Sequence, residues 1–298
     1  MGNIKNIYTF GTSWTEGGGF EFDKPKPKYN SDDLYNIYGN TDEELTRKNF
    51  SWPGQLSKIC KNLNIINHAK SGYGNERLYR KAFEEITNPK FDKEHSLFLF
   101  EFSDLGRKEI YHKEIGDYII LNYYWEHPIQ ETDLKISSFA NSYYYDSDEV
   151  LNILSKDYDL LKSFLEKTID FYNVVDLLNR NMHMFISFLE FNQIKYHILT
   201  TEYVNWNQNL KTTENLIKEK RVKLNLKNDT YNDVMELFTQ YGLSLKNETN
   251  GVINDGAHLG YNGSKLIANL VSSFLVNEGY IDSDINLLDI DWNIIKKI

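Results

Sequence analysis

Ile7-Tyr8-Thr9-Phe10-Gly11-Thr12-Ser13-Trp14 is the stretch whose reading decides the fold: an apolar run of strand length that stops at a glycine and two small hydroxyl residues. Two further apolar runs follow in the first third of the chain, Leu63 to Ala69 and Ser96 to Phe102. Helical patterns lie between them. Ser51-Trp52-Pro53 opens one, with serine as the cap, proline in the first turn, and Leu56, Ile59, Cys60 and Leu63 at helical spacing. Asn75 to Ile86 is the second. A buried run, an amphipathic helix and another buried run form the βαβ pattern of a parallel sheet covered on both faces, so the chain reads as α/β.

Working outward, Tyr196-His197-Ile198-Leu199 reads as a fourth strand. Tyr261 to Asn277 reads as a closing helix, with Leu266, Ile267, Leu270, Val271, Phe274 and Leu275 on its apolar side. Between these parts lies an insertion at about 106–192. Its first part holds nine aromatic residues between 106 and 150 without a clean period. In the second, Leu160, Leu161, Phe164, Leu165, Val175, Leu178, Phe185 and Leu189 recur at helical spacing, as one long helix or two shorter ones. The insertion is therefore expected to be largely helical and aromatic. No repeat and no linker rich in Pro, Gly or Ser divides residues 1–298, which are read as one domain. A tail at 279–298 alternates acidic and bulky apolar residues and packs either on the body or on a second subunit.

Composition narrows the function classes. With 298 residues, 41% of them hydrophobic, the chain has enough apolar surface for a core, which excludes global disorder. Its net charge of −10 disfavours nucleic acid as a partner, because phosphate-tracking proteins carry a basic excess. Cys60 is the single cysteine, so no intramolecular disulfide forms. No signal-peptide stretch opens the chain and no run approaches the roughly 18 apolar residues of a membrane helix. The expectation is a soluble protein, cytoplasmic or virion-associated, with no membrane partner. Glycines crowd the two ends: Gly11, Gly17, Gly18, Gly19, Gly72 and Gly74 in front, Gly251, Gly256, Gly260 and Gly263 behind. Glycine marks tight turns and close approach to ligands, so those regions are searched first.

Gly11-Thr12-Ser13 places a hydroxyl at the carboxyl edge of the sheet, where open α/β sheets bind their ligands. Asn254-Asp255-Gly256-Ala257-His258 places a carboxylate three residues before an imidazole, just ahead of the last helix. A serine alone is a weak nucleophile and needs a base whose tautomer a third group fixes. Asp255 and His258 supply base and orienter together; the plainer reading makes them a helix cap and a packed ring.

These residues resemble the SGNH/GDSL hydrolase family of serine esterases and acylhydrolases. Gly11-Thr12-Ser13 is similar to its first block, usually Gly-Asp-Ser, with Thr12 in place of the aspartate. Asn67-His68-Ala69-Lys70-Ser71-Gly72 resembles the second block. Asp255-Gly256-Ala257-His258, followed by Gly263 and Ala268, resembles the last. The likeness covers about residues 4 to 104 and 194 to 278. It implies a flavodoxin-like three-layer α/β/α fold with a mostly parallel central sheet, and a triad of Ser13, His258 and Asp255. The implied oxyanion hole consists of the Ser13 and Gly72 amides, with Ser103 or Asn75 as a third donor. No metal and no cofactor is implied. The third block departs: where the family has Gly-X-Asn-Asp, this chain reads Glu101-Phe102-Ser103-Asp104-Leu105-Gly106. Losing one oxyanion donor typically lowers turnover about 100- to 1,000-fold.

Two functional readings therefore stand open. One is an esterase acting on a small-molecule or glycan ester, O-acetyl groups on a carbohydrate among them. The other is a catalytically impaired binding or structural module of a virion or cell surface. A lipase is a third reading, opposed by the acidic surface and the lack of an apolar lid helix. Gly17-Gly18-Gly19 has no following Lys-Ser/Thr and reads as a flexible loop, and the remaining histidines show no paired metal-ligand spacing. Arg107 and Glu109 are expected to pair near the end of the third strand, with an anionic substrate group as the alternative for Arg107.

Overall fold

The computed structural model describes residues 4–17, 49–70, 73–102, 107–114, 117–125, 134–139, 163, 171–201, 217–222, 224–226, 229–231, 234–248 and 258–290. Its elements in chain order begin with β1 (Asn6–Phe10), α1 (Ser13–Glu16), α2 (Trp52–Ile59), β2 (Asn64–Asn67), α3 (Asn75–Ile86) and β3 (Ser96–Phe102). Then come β4 (Arg107–His112), β5 (Asp117–Trp125), β6 (Leu134–Phe139), α4 (Phe171–Phe191) and β7 (Tyr196–Thr201). The last third holds β8 (Leu224–Leu226), β9 (Asp229–Tyr231), α5 (Val234–Tyr241), α6 (Leu245–Glu248) and α7 (Tyr261–Asn277).

The main sheet has four strands in the order β2-β1-β3-β7, and every pair is parallel. Side chains alternate between its faces, so each strand feeds two cores. Ile7, Leu97, Leu99 and Leu199 face one cluster with Trp52 and Leu56 of α2 and Leu266, Ile267, Val271 and Leu275 of α7. Phe10, Phe98, Phe100, Phe102 and Ile198 face the other, with Leu78 and Ala82 of α3 and Phe185, Ile186 and Leu189 of α4. Helices thus cover both faces of the sheet. The chain runs outward from β1 to β2 and then back past β1 to β3. Right-handed crossovers require a helix on opposite faces when the direction reverses, as α2 and α3 are.

Local chemistry explains the helix starts. Ser51 caps α2 by accepting the Gly54 N–H at 3.4 Å, with Pro53 in the first turn. Gly74 precedes α3, and a Cβ there would sit 2.7 Å from the Arg107 carbonyl oxygen. That contact presses β4 against the entry to α3.

The insertion corrects one expectation. The described residues of its first part are strand rather than helix: β4, β5 and β6 form a three-stranded antiparallel sheet. Aromatic residues favour the pleated surface of a strand, and Tyr111 and Tyr118 lie opposite each other with ring centroids 5.3 Å apart. The register shifts between Asn122 and Tyr123, which breaks the alternation that would have marked β5 in the sequence. The helical part is α4; of residues 151–170 only 163 is among the described ones. Glu109 accepts the Arg80 Nη2 at 2.7 Å and its Nε at 3.3 Å, tying β4 to α3.

The described part of the tail, residues 279–290, folds back on the body. Tyr280, Ile281, Ile285, Leu288 and Ile290 pack on the α2/α7 cluster, and Asn269 of α7 exchanges two hydrogen bonds with the Leu288 backbone. Among the described residues no helix is long and apolar enough to cross a membrane.

Candidate active site

The order β2-β1-β3 sets a switch point. Chain connections leave β1 in one direction and β3 in the other, opening a crevice beyond the carboxyl ends of the two strands. β1 delivers Gly11-Thr12-Ser13 to that crevice, and β3 delivers Glu101-Phe102. Ser13 is the first residue of α1, directly behind Thr12, and is half-buried.

Glu101 organises this end of the sheet. It is the one charged residue of β3, every residue of which is buried, and it lies on the α2/α7 face with Leu97 and Leu99. A buried carboxylate is tolerated only where donors surround it. Thr12 Oγ1 donates to one carboxylate oxygen. The Thr15 N–H donates to the other at 2.9 Å, joined there by Thr15 Oγ1. Trp52 Nε1 donates to Thr15 Oγ1 at 3.1 Å, so the threonine hydroxyl accepts from the indole and directs its own proton at Glu101. Burial pushes the Glu101 carboxyl above the ordinary carboxylate value, while the bonds from Thr12 and Thr15 pull it down.

β2 holds the same turn from the other side. Asn67 donates through Nδ2 to the Thr15 carbonyl at 2.8 Å and accepts at Oδ1 from Thr9 Oγ1 at 2.9 Å and from the Ala69 N–H at 3.1 Å. The Lys70 N–H donates to the Gly11 carbonyl, and Lys70 Nζ lies 3.5 Å from Glu16. At the rim, Arg77 of α3 donates to the His68 carbonyl and lies over the Tyr73 ring, 5.0 Å from its centroid. His68 turns to the opposite face: it stacks on Tyr8 and Phe10 and places Nε2 2.9 Å from Glu85. Burial pushes its pKa down.

His258 is half-buried and stands just ahead of α7. Its neighbour Leu259 bridges Ser244, and the Gly260 N–H donates to the Leu243 carbonyl at 2.9 Å. Gly263 lets α7 approach this strut, since a Cβ there would lie 2.9 Å from the same carbonyl oxygen. Leu259 belongs to the α2/α7 cluster, and Trp14, next to Ser13, packs against that cluster and on the Phe238 ring at 4.5 Å. The residues flanking Ser13 and His258 therefore share one core on one face of the sheet. Asn75 is buried at the start of α3. Asp255, Gly72 and Ser103 lie outside the described residues.

Four participants escaped the sequence reading as site residues: Glu101, Thr15, Trp52 and Asn67. Two of them carried a signal: Asn67 opens the second resembled block, and Glu101 is a carboxylate inside a run buried on both faces. Among the described residues, no group of three or more His, Cys, Asp or Glu side chains is placed to hold a metal ion. Set against models of protein families, curated proteins and solved structures, the chain matches none.

Proposed function

We propose that this protein is a serine hydrolase that cleaves an ester through an acyl-enzyme, within a flavodoxin-like SGNH frame. The observation that carries the reading is the position of Ser13 at the switch point, on the first residue past a tight turn at the carboxyl end of β1. Two other sequence blocks support it: Asn67 to Gly72 starts on the last residue of β2, and Asp255 to His258 precedes α7.

In this reading Ser13 Oγ attacks the ester carbonyl carbon while His258 removes the hydroxyl proton. Asp255 fixes the imidazole tautomer and stabilises its charged form. The Ser13 and Gly72 amides, with Ser103 or Asn75, donate to the oxyanion of the tetrahedral intermediate. His258 returns the proton to the leaving alcohol, and water, deprotonated by the same ring, releases the acid. We read the ester as an O-acyl group on a carbohydrate, supported by the aromatic residues of β4–β6, among which the exposed Tyr111 ring offers a face for a sugar.

The test is hydrolysis of p-nitrophenyl acetate by purified protein and by Ser13→Ala. The expected loss is about 1,000-fold or more, since the nucleophile is removed outright. Equal rates for the two proteins overturn the reading. Ser103 and Asp104, standing where the family places its asparagine, favour the second reading, a binding module that kept the frame, which predicts no hydrolysis by either protein.

A further inference from the structure

We infer that Glu101 is a positioning residue that holds the Ser13 turn in place from the neighbouring strand. The inference rests on the reading of Ser13 as nucleophile and adds to it a residue outside the proposed triad and oxyanion hole. The geometry is a clamp. One carboxylate oxygen takes the hydroxyl of Thr12, immediately before Ser13, and the other takes the amide and hydroxyl of Thr15, two residues after it. A single rigid group on β3 thereby fixes the backbone on both sides of the serine. β3 is an inner strand, paired with β1 and β7 and buried along its whole length, so the clamp is anchored inside the sheet.

Three features show that the turn is built around this carboxylate. Gly11 has no room for a side chain: a Cβ would lie 2.6 Å from Glu101 Oε2. Trp52, fully buried, spends its indole N–H on the Thr15 hydroxyl and so orients that hydroxyl toward Glu101. Thr12, where the resembled family usually has aspartate, supplies a donor, so the acidic group of this turn comes from β3. Two carboxylates at that spot would repel, and a donor at position 12 matches an acid at 101. Because attack on a carbonyl is sensitive to displacement of the nucleophile by as little as about 1 Å, loosening the clamp is expected to slow acyl transfer without removing any reacting group.

The test measures the rate at which a fluorophosphonate labels Ser13 in wild type, Glu101→Gln, Thr12→Val and Thr12→Ser, together with hydrogen exchange at the Thr15 amide. Glu101→Gln and Thr12→Val are expected to label about tenfold or more slowly. Thr12→Ser keeps the donor and is expected to stay within about twofold of wild type. In p-nitrophenyl acetate hydrolysis the first two lower kcat and leave KM in place. Thr15 exchange quickens in Glu101→Gln while exchange at Phe98 in β3 does not. Thr12→Val keeps the test alive if Glu101→Gln fails to fold. Equal labelling rates in all folded variants overturn the inference while leaving Ser13 as the nucleophile. No labelling of Ser13 in any protein, wild type included, overturns the functional reading and the inference with it.

Discussion

Gly11 is where the site is least tolerant of change. Its missing side chain leaves space that Glu101 Oε2, Glu101 Cβ and Thr15 Oγ1 occupy within 2.9 Å of an added Cβ. None of these atoms is free to swing aside, because Oε2 accepts from Thr15 twice. Gly11→Ala is therefore expected to destabilise the protein by about 2 kcal/mol or more through overpacking, read as a lower urea midpoint at unchanged slope. A change under about 0.5 kcal/mol contradicts the close packing. The sequence made Gly11 conspicuous but for a looser reason, as a turn glycine before a hydroxyl. Glu101 explains it, and Glu101 was readable only in part. A carboxylate inside Ser96–Phe102 announces that donors surround it, yet nothing in the sequence says that they come from Thr12 and Thr15, about 86 to 89 positions away.

Individual elements show where pattern succeeds and where it fails. Ser51, Pro53 and the apolar spacing marked α2, and α3 and α7 run over the predicted Asn75–Ile86 and Tyr261–Asn277: α3 buries one face, and α7, buried over most of its surface, keeps its large apolar residues at helical spacing. β4 to β6 escaped detection: Asp117–Trp125 is nearly continuous in apolar and aromatic residues, and the register shift after Asn122 removes the two-residue period. β7 carries a consequence of its own. His197 is buried against Phe274, with Nδ1 3.1 Å from the Lys220 carbonyl and Nε2 2.8 Å from the Tyr280 hydroxyl. A carbonyl only accepts, so Nδ1 carries the proton and Nε2 accepts from Tyr280. Burial pushes the pKa down to about 4, from an ordinary 6.5. The unfolded chain then binds a proton that the folded protein refuses, so this group's contribution is complete above about pH 6.5 and is lost as pH falls toward 4, by on the order of 3 kcal/mol. Urea unfolding at pH 7 and pH 4.5 is expected to show a smaller acid loss in His197→Leu than in wild type. Equal losses contradict it.

At the scale of the whole molecule, the strand order places the chemistry. β2-β1-β3-β7 opens its crevice between β1 and β3, and the two strand ends that meet there bear Ser13 and Glu101. That the chain is α/β with a parallel sheet was legible from three apolar runs separated by amphipathic helices. The crevice itself was not, because strand order depends on which direction each crossover takes. Glycine crowding at the two ends pointed to the turn at Gly11 and to the tight seat of α7 at Gly263, both of which the structure places on the α2/α7 side of the sheet. The central claim is that Ser13 is an activated nucleophile. It is tested most directly by treating the folded protein with a fluorophosphonate and mapping the adduct by mass spectrometry of its peptides. One adduct is expected, on Ser13, and it disappears in His258→Ala; an unmodified Ser13, or an adduct on a different serine, contradicts the nucleophile's role.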